Sequence, residues 1–323
     1  MTRPTTPWQR SFTPFGLALL LFIVYVLKSG GFTSIAALGI FNDALPLALA
    51  AVGETFVVLT NGIDLSVGSV ITLSNVTVAT LAQGHSSVLA IAAALAIGAG
   101  AGVLNGLIVN YVRLAPLIAT LATSSIFLGI ALFILPNPGG VIPTWLSTWT
   151  SGSTHSIPYA AIWLLVLLAI GWGLLNRTTF GVKVRALGGN EAASWSAGIR
   201  VNRMRLLAYL ASGLAASFAG IVLAGLTQSG DPTIGNVYVL NTIAAVVVGG
   251  TSLAGGVGTA AGSVLGALSL SLISAVLLVS GLSTNYQYVV TGAIVIGALL
   301  VHAAHDRIGS RAPRARAVTA AET

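Results

Sequence analysis

Charge is scarce in this sequence. Charged residues make up 7% of the 323 positions and hydrophobic residues 55%, whereas a soluble domain carries roughly 25% charged residues. Seven acidic and 14 basic side chains cannot cover a water-facing surface of this size, which excludes a soluble globular enzyme. A disordered chain is excluded as well, because disorder requires a polar composition. The composition therefore predicts a polytopic membrane protein.

Cysteine is absent and lysine is nearly so. With no cysteine, no disulfide framework, cysteine-ligated zinc site or thiol chemistry is possible. A phosphate-binding P-loop requires a lysine directly after a glycine, but Lys28 follows a leucine and Lys183 follows a valine. The spacing of the four histidines predicts no metal site. We therefore expect no metal and no cofactor on this chain, and no enzymatic activity of its own.

Long apolar stretches recur along the chain. A helix needs about 20 apolar residues to cross the hydrocarbon core, and its backbone groups must be satisfied within the helix. The alternation expected of membrane barrel strands is missing. We predict an all-α fold of ten transmembrane helices at 13–29, 43–60, 66–83, 88–110, 114–135, 158–176, 205–227, 237–253, 258–280 and 285–304.

Basic residues set the predicted orientation, because short cytoplasmic loops carry an excess of Lys and Arg. With the N-terminus inside, every basic residue except Lys28 falls on the cytoplasmic side. Adding or removing one span destroys this pattern, so both termini are predicted to be cytoplasmic. The net charge of +7 is explained by topology, and no nucleic-acid partner is expected.

The chain divides into three predicted parts. Residues 1–12 form a cytoplasmic N-terminus, residues 13–304 a single transmembrane domain, and residues 305–323 a basic, disordered cytoplasmic tail. The transmembrane domain includes a long cytoplasmic segment at 177–204.

Small residues and a short repeat add detail to the predicted bundle. Residues 62–68 and 250–256 share the pattern G-x-x-L-[SA]-x-G, a weak internal repeat of a kind that is common in transporters. Glycines spaced by four predict close helix contacts on two faces, formed by Gly98, Gly102 and Gly106 and by Gly258, Gly262 and Gly266.

A few polar residues lie within or beside predicted spans. Glu54 is near the middle of one, where a carboxylate is costly unless it faces a cavity or a partner. Two interpretations stay open: it hydrogen-bonds a polar solute, or it is protonated and bonds between helices. Gly62 is expected in a left-handed helix cap, and Ser66 as the cap of the next helix. The predicted solute path consists of Glu54, Asn61, Asp64, Asn105, Asn241 and Thr242, although Asn105 also suits a bond between helices.

The cytoplasmic segment contains a short-helix pattern. Two glycines are expected to break the chain before Asn190, which caps the helix, and Gly198 is expected to end it. An exposed Trp195 among arginines favours docking into a groove on a cytoplasmic partner, and the alternative is a helix lying on lipid. The residues assigned to this contact are Gly188, Gly189, Asn190, Glu191, Ala192, Ala193, Trp195 and Gly198.

The sequence contains no visible energy source for active transport. Ion-coupled carriers show several ionisable residues within the membrane, whereas Glu54 alone is central in the predicted spans. Passive flow, or energy from a separate ATPase, fits this pattern better.

Three blocks of the sequence resemble those of ribose-type permeases, the membrane subunits of bacterial ABC importers for monosaccharides. The blocks are 54–69 (ETFVVLTNGIDLSVGS), 186–193 (ALGGNEAA) with Gly198 and Ile199 after it, and 243–256 (IAAVVVGGTSLAGG). The second block resembles the EAA-like coupling segment of that family. The resemblance extends from about residue 35 to residue 304.

The resemblance implies a larger machine in the bacterial cytoplasmic membrane. Two permease subunits, alike or different, would form the path, and an external solute-binding protein would deliver the solute. A cytoplasmic ABC ATPase, holding ATP and Mg²⁺, would receive the coupling segment. The expected solute is a monosaccharide or a similar small polyol. A nucleoside or an autoinducer-like solute is an alternative, as is a self-contained carrier or channel.

Overall fold

Helices make up almost the whole of the structure, a computed structural model that describes residues 7–297 and residue 300, with side chains from residue 13 onward. The predicted tail at 305–323, the end of the predicted span 285–304 and the start of the 1–12 segment lie outside these residues. The helices, in chain order, are α1 (Pro7–Ser29), α2 (Ser34–Leu59), α3 (Val67–Leu81), α4 (Ser87–Leu107), α5 (Pro116–Ile134), α6 (Thr144–Ser151), α7 (Tyr159–Asn176), α8 (Thr179–Gly189), α9 (Glu191–Ser196), α10 (Val201–Thr227), α11 (Asn236–Val248), α12 (Ala260–Val279) and α13 (Tyr286–Gly297).

Within the residues that the structure describes, six helices are long and apolar enough to cross a membrane. They are α2, α5, α7, α10, α12 and the continuous helix Ser87–Val112, in which a π-helical turn (Ile108–Val112) extends α4. Shorter apolar helices stand at the other four predicted spans: Thr13–Ser29 within α1, then α3, α11 and α13. The all-α polytopic fold is thus confirmed, while the number of spans and the orientation stay predictions.

The centre of the bundle is formed by α2 and α10. Helix α10 packs against α4, α2 and α3, and α2 also packs against α12, α11 and α7. Every residue of α2 from Ala44 to Leu59 is buried. A helix that is apolar around its whole circumference belongs in the interior of a bundle, and α2 provides the scaffold for the site described below.

The glycine stripes allow the close helix contacts that their spacing predicts. A Cβ atom at Gly98 or Gly102 would overlap the backbone of α10, and one at Gly266 would overlap the backbone of α11. The prediction is wrong for Gly258, which precedes α12 and lies against the side chain of Thr251. Thr259 takes the capping position of α12 and accepts a hydrogen bond from Gly262 N–H, so the helix cannot begin at Gly258.

The two ends of the bundle carry different elements. One end, here called the basic end, holds α8, α9 and the arginines around them. The opposite end, the α6 end, holds α6 and a small hairpin of β1 (Ser153–Thr154) and β2 (Ile157–Pro158), with Ser153 paired to Pro158. At the α6 end the backbone of Gly139 also pairs with that of Gly230, which joins the loop before α6 to the loop before α11.

Candidate functional site

Glu54 is fully enclosed within the bundle. Its side chain is 0% exposed, and its Oε1 accepts a hydrogen bond of 3.0 Å from the backbone N–H of Asp64. Asp64 belongs to the connector between α2 and α3, which folds back beside α2 instead of running over the surface. Non-helical backbone at this depth is tolerated where protein surrounds it, and the connector meets this condition.

Asp64 is the hub of a buried hydrogen-bond network. Its Oδ1 accepts hydrogen bonds from the N–H and the hydroxyl of Ser66, at 3.0 and 2.6 Å. Its Oδ2 accepts one from the Ser212 hydroxyl of α10 at 3.0 Å. Three donors therefore converge on one carboxylate, and the connector is bonded to α10.

The network continues into α4 and α5. The side-chain amide of Asn105 donates to the Ser66 hydroxyl at 2.7 Å, and Asn105 accepts from the Thr123 hydroxyl of α5 at 2.7 Å. The chain of bonds thus joins α2, the connector, α4, α5 and α10. The geometry matches the interpretation in which Glu54 and Asn105 bond between segments of the bundle. Neither side chain is open to solvent in this conformation.

Next to this network, two buried oxygens of the described chain have no hydrogen-bond partner. They are Oε2 of Glu54 and the hydroxyl of Tyr209 on α10. A Cβ atom at Gly62 would lie 3.0 Å from the Tyr209 hydroxyl, so this glycine packs tightly against Tyr209.

The expected caps around the connector are wrong in detail. The left-handed conformation falls on Asn61, with φ of 62°, and not on Gly62. Asparagine tolerates this conformation, and Gly62 instead makes a close contact with Tyr209 and Val57. Ser66 precedes α3 but makes no capping bond, because its hydroxyl donates to Asp64.

The other predicted path residues lie outside the network. Asn61 is exposed at the basic end. Asn241 of α11 is half-buried and accepts a hydrogen bond of 2.9 Å from Thr291 of α13. Thr242 is buried, and its hydroxyl has no partner among the described residues. The structure therefore brings together Glu54, Asp64 and Asn105, and the role of all six residues in solute passage stays a prediction.

The short helix in the segment 177–204 forms as its sequence predicts. The side chain of Asn190 accepts a hydrogen bond of 2.9 Å from Ala193 N–H at the start of α9. Gly198, at φ of +77°, ends the turn after α9. Trp195 is 74% exposed and lines an open groove of about 1000 Å³ together with Ile199 and Val201. Helix α9 thus presents a large apolar side chain beside a groove.

An ion pair fixes α9 to the bundle. The carboxylate of Glu191 lies 2.8 Å from the guanidinium of Arg205 on α10. Arg205 also donates to Asn110 of the π-helical turn at 3.4 Å. Glu191 is among the residues that the sequence assigns to the docking contact, whereas no local pattern marks Arg205, which is 14 residues further along the chain.

The two glycines before α9 do not break the chain as expected. Gly188 and Gly189 are the last two residues of α8. Gly188 lies so close to the Leu59 carbonyl of α2 that a Cβ atom there would overlap it. The same carbonyl accepts a hydrogen bond of 3.0 Å from Gly256 N–H. The site of contact, here called the glycine junction, joins α8 to the end of α2 and to the loop after α11.

The glycine junction also brings the two repeated motifs together. Gly256 ends the second motif, and Leu59 is three residues before the first one. Gly255 lies near Asn61, with 3.0 Å between a Cβ atom built there and the Asn61 nitrogen. The end of the second motif therefore contacts the residues that come just before the first motif, at the basic end.

Arg185 of α8 is a second anchor that sequence analysis missed. Its guanidinium donates to the Leu175 carbonyl at 2.7 Å, to the Asn176 side chain at 3.1 Å and to the Gly258 carbonyl at 3.4 Å. Partial burial lowers the pKa of this guanidinium from its ordinary value. The contacts tie α8 to the end of α7 and the start of α12.

The chain's relatives are permeases. Residues 36–299 match the family described as "Branched-chain amino acid transport system / permease component". The chain belongs to this family of permeases. The permease is a multi-pass membrane protein, in agreement with its apolar helices.

Individual relatives align with nearly the whole permease. It is 39% identical to the ribose import permease protein RbsC of Bacillus subtilis over 89% of its own length and 91% of that protein. It is 36% identical to RbsC of Escherichia coli K12, over 93% and 98% of the two chains. The galactose/methyl galactoside import permease protein MglC of Escherichia coli K12 is 33% identical, over 87% and 90%. No solved structure matches the permease.

Within the part of the permease that the structure describes, no group of histidine and acidic side chains is arranged to hold a metal ion. The two candidate functional features are the buried hydrogen-bond network of Asp64 in the interior, and helix α9 with the neighbouring glycine junction at the basic end. The first joins helices, and the second presents a contact surface.

Proposed function

We propose that this permease is the transmembrane subunit of an ATP-driven importer for a monosaccharide or a similar small polyol. The observation that carries the proposal is the similarity along nearly the whole chain to permeases that import ribose and galactose. The solute crosses by non-covalent steps alone. ATP and Mg²⁺ are held by a separate cytoplasmic ATPase, since neither lysine of this chain fits a P-loop.

The proposed assembly has three kinds of partner. An external solute-binding protein delivers the sugar at the α6 end, and a second permease copy, identical or paralogous, completes the path. The ATPase binds at the basic end, where the exposed Trp195 of α9 inserts into its groove. A direct test is reconstitution of the three components in vesicles, with uptake of labelled monosaccharides measured with and without ATP. Uptake that needs neither ATP nor the ATPase would instead identify a self-contained carrier.

The proposed orientation is ten spans with both termini in the cytoplasm. We expect reporter fusions after Lys28, at residue 145 and at residue 230 to be external, because the basic residues flank the other ends of these helices. A fusion at residue 190 is expected to be cytoplasmic. The measurement pairs a reporter active only outside the membrane with one active only inside. A cytoplasmic signal at residue 145 contradicts the ten-span arrangement.

A double substitution of Glu191 and Trp195 by alanine tests the docking role of α9. It removes the ion pair to Arg205 and the exposed indole. A buried tryptophan at an interface contributes about 2 kcal/mol or more, so the affinity for the ATPase is expected to fall roughly 30-fold. Binding is measured by titrating purified ATPase onto the reconstituted permease.

Trp145→Ala is the matched control for this substitution. Trp145 is another exposed tryptophan on a short helix, but it lies on α6 at the opposite end. This variant is expected to bind the ATPase as the unmodified permease does. If α9 only rests on lipid, the double variant also keeps its full affinity for the ATPase, and loaded binding protein still stimulates ATP hydrolysis. This result would contradict the docking role of α9.

A further inference from the structure

A carboxylate lies on an exposed face of α2, inside the candidate membrane-crossing helix Ser34–Leu59. Asp43 is exposed in the structure, whereas every residue that follows it, from 44 to 60, is buried. It lies nine residues after Ser34, at which α2 begins, and therefore about 14 Å along the helix axis. Asp43 is thus the deepest exposed residue of α2 when the helix is followed from the α6 end to the connector.

The surface above Asp43 is open. Ile35, Gly39 and Asp43 follow one another at intervals of four and are all exposed, so they form one face of α2. A Cβ atom built on Gly39 meets nothing within 4 Å. Within the described part of the chain, this face is therefore exposed at all three positions from the start of α2 down to Asp43.

Polar and aromatic residues lie next to Asp43 in the chain and on the neighbouring helix α11. Asn42, the preceding residue, has a side-chain oxygen that is buried without a hydrogen-bond partner among the described residues. Tyr238 of α11 is partly buried. Helix α11 packs directly on α2, and one turn after Tyr238 it carries the half-buried Asn241, bonded to Thr291 at 2.9 Å.

A face of this composition is not suited to lipid. Ionisable residues within membrane spans face the bundle interior or a water-filled cavity, because a charge in hydrocarbon is costly. Carboxylate and amide groups hydrogen-bond the hydroxyls of a polyol, and a tyrosine ring offers an apolar surface with a polar end. Glu54 offers no such contact, because it is fully enclosed.

We propose that Asp43, together with Tyr238 and Asn241 of the neighbouring helix α11, forms a hydroxyl-binding subsite for the solute in the half of the path nearest the α6 end. This inference rests on the proposed function, since it assigns the residues that hold the polyol during import. The carboxylate accepts hydrogen bonds from solute hydroxyls, and Asn241 offers its amide donors. The subsite lies outside the buried network of Glu54 and Asp64.

The absence of cysteine from the sequence makes the first test direct. We expect Asp43→Cys to react with a water-soluble, membrane-impermeant maleimide at least ten-fold faster than Leu20→Cys. Leu20 is a matched control: it is 57% exposed on α1 and lies nine residues from the Ser29 end of that helix. Equal, slow labelling of the two variants would place Asp43 against lipid and overturn the proposal.

Uptake measurements test contact with the solute. Loss of a hydrogen bond to a charged group corresponds to roughly 10- to 150-fold. We expect Asp43→Leu to lower the apparent affinity for the solute by this factor, and Asp43→Asn, which keeps an acceptor oxygen, to lower it less. Assembly with the ATPase is expected to be unchanged in both. Rapid labelling at residue 43 combined with normal uptake by Asp43→Leu would rule out the subsite.

Failure of the subsite can be distinguished from failure of the proposed function by disulfide formation, by labelling and by uptake in the unmodified permease. Efficient disulfide formation between two copies of Asp43→Cys would assign this face to contact with a second permease and overturn the subsite. Labelling of residue 43 requires no transport, so it reports on the water-filled face even if no monosaccharide is imported. If the unmodified permease imports no polyol with its partners, the proposed function fails, and the subsite fails with it.

Discussion

Gly188→Ala is expected to abolish most uptake, whereas Gly189→Ala leaves it close to normal. The methyl group at residue 188 would overlap the Leu59 carbonyl, well inside the 3.0 Å that real Cβ atoms keep from their neighbours. A Cβ atom at residue 189 meets nothing within 4 Å. Overpacking of this kind costs about 1–3 kcal/mol. The two variants therefore form a pair in which the same chemical change meets backbone at one position and open space at the next.

The effect on transport follows from what the glycine junction connects. Helix α8 leads directly into α9 through Asn190, and Leu59 ends the helix that carries Glu54. The Leu59 carbonyl also binds Gly256 N–H, so displacement of α8 disturbs the loop after α11 as well. We expect a movement of α9, produced by the ATPase, to reach α2 and α11 through this contact.

Two measurements separate loss of coupling from loss of the fold. The first is stimulation of ATP hydrolysis by loaded binding protein in reconstituted vesicles, and the second is thermal unfolding of the purified permease. We expect Gly188→Ala to retain ATPase binding and most of its thermal stability but to lose stimulation. Normal stimulation and uptake in this variant would show that the glycine junction does not transmit movement.

Local interactions explain which features were predictable from the sequence. The Asn190 cap depends on a bond that spans three residues, and Gly198 ends its turn through its own backbone angle. The apolar helices at the predicted spans likewise follow from continuous stretches of the sequence. Each of these features is determined by residues that are neighbours in the chain, so the sequence pattern contains the information.

Contacts between distant segments explain what was missed. Asp64 binds Ser212, which is 148 residues away, and no local pattern marks that serine among the other small residues of α10. Gly188 and Gly256 are adjacent only because α8 packs on the end of α2. Asp43 lies at the start of a predicted span, where a carboxylate is unremarkable, and its depth emerges only because α2 begins nine residues earlier.

Glu54→Leu is expected to destabilise the permease, whereas Glu54→Gln leaves its stability nearly unchanged. Leucine removes the acceptor of the Asp64 N–H, whereas glutamine keeps an oxygen where Oε1 accepts that bond. A buried donor that loses its acceptor costs about 1–3 kcal/mol, and the Asp64 N–H is left in this state. The measurement is thermal unfolding of the purified variants in detergent, compared with the unmodified permease.

Uptake by the same two variants decides between the interpretations of Glu54. If the carboxylate holds the connector, Glu54→Gln transports nearly normally, and Glu54→Leu loses uptake in proportion to the fraction of protein that is unfolded. If Glu54 instead contacts the solute, Glu54→Leu unfolds at the normal temperature but still fails to transport. The enclosed position of Glu54, at 0% exposure, favours the first result. Because Asp64 accepts bonds from Ser66 and Ser212, release of the connector would also disturb the contact between α3 and α10.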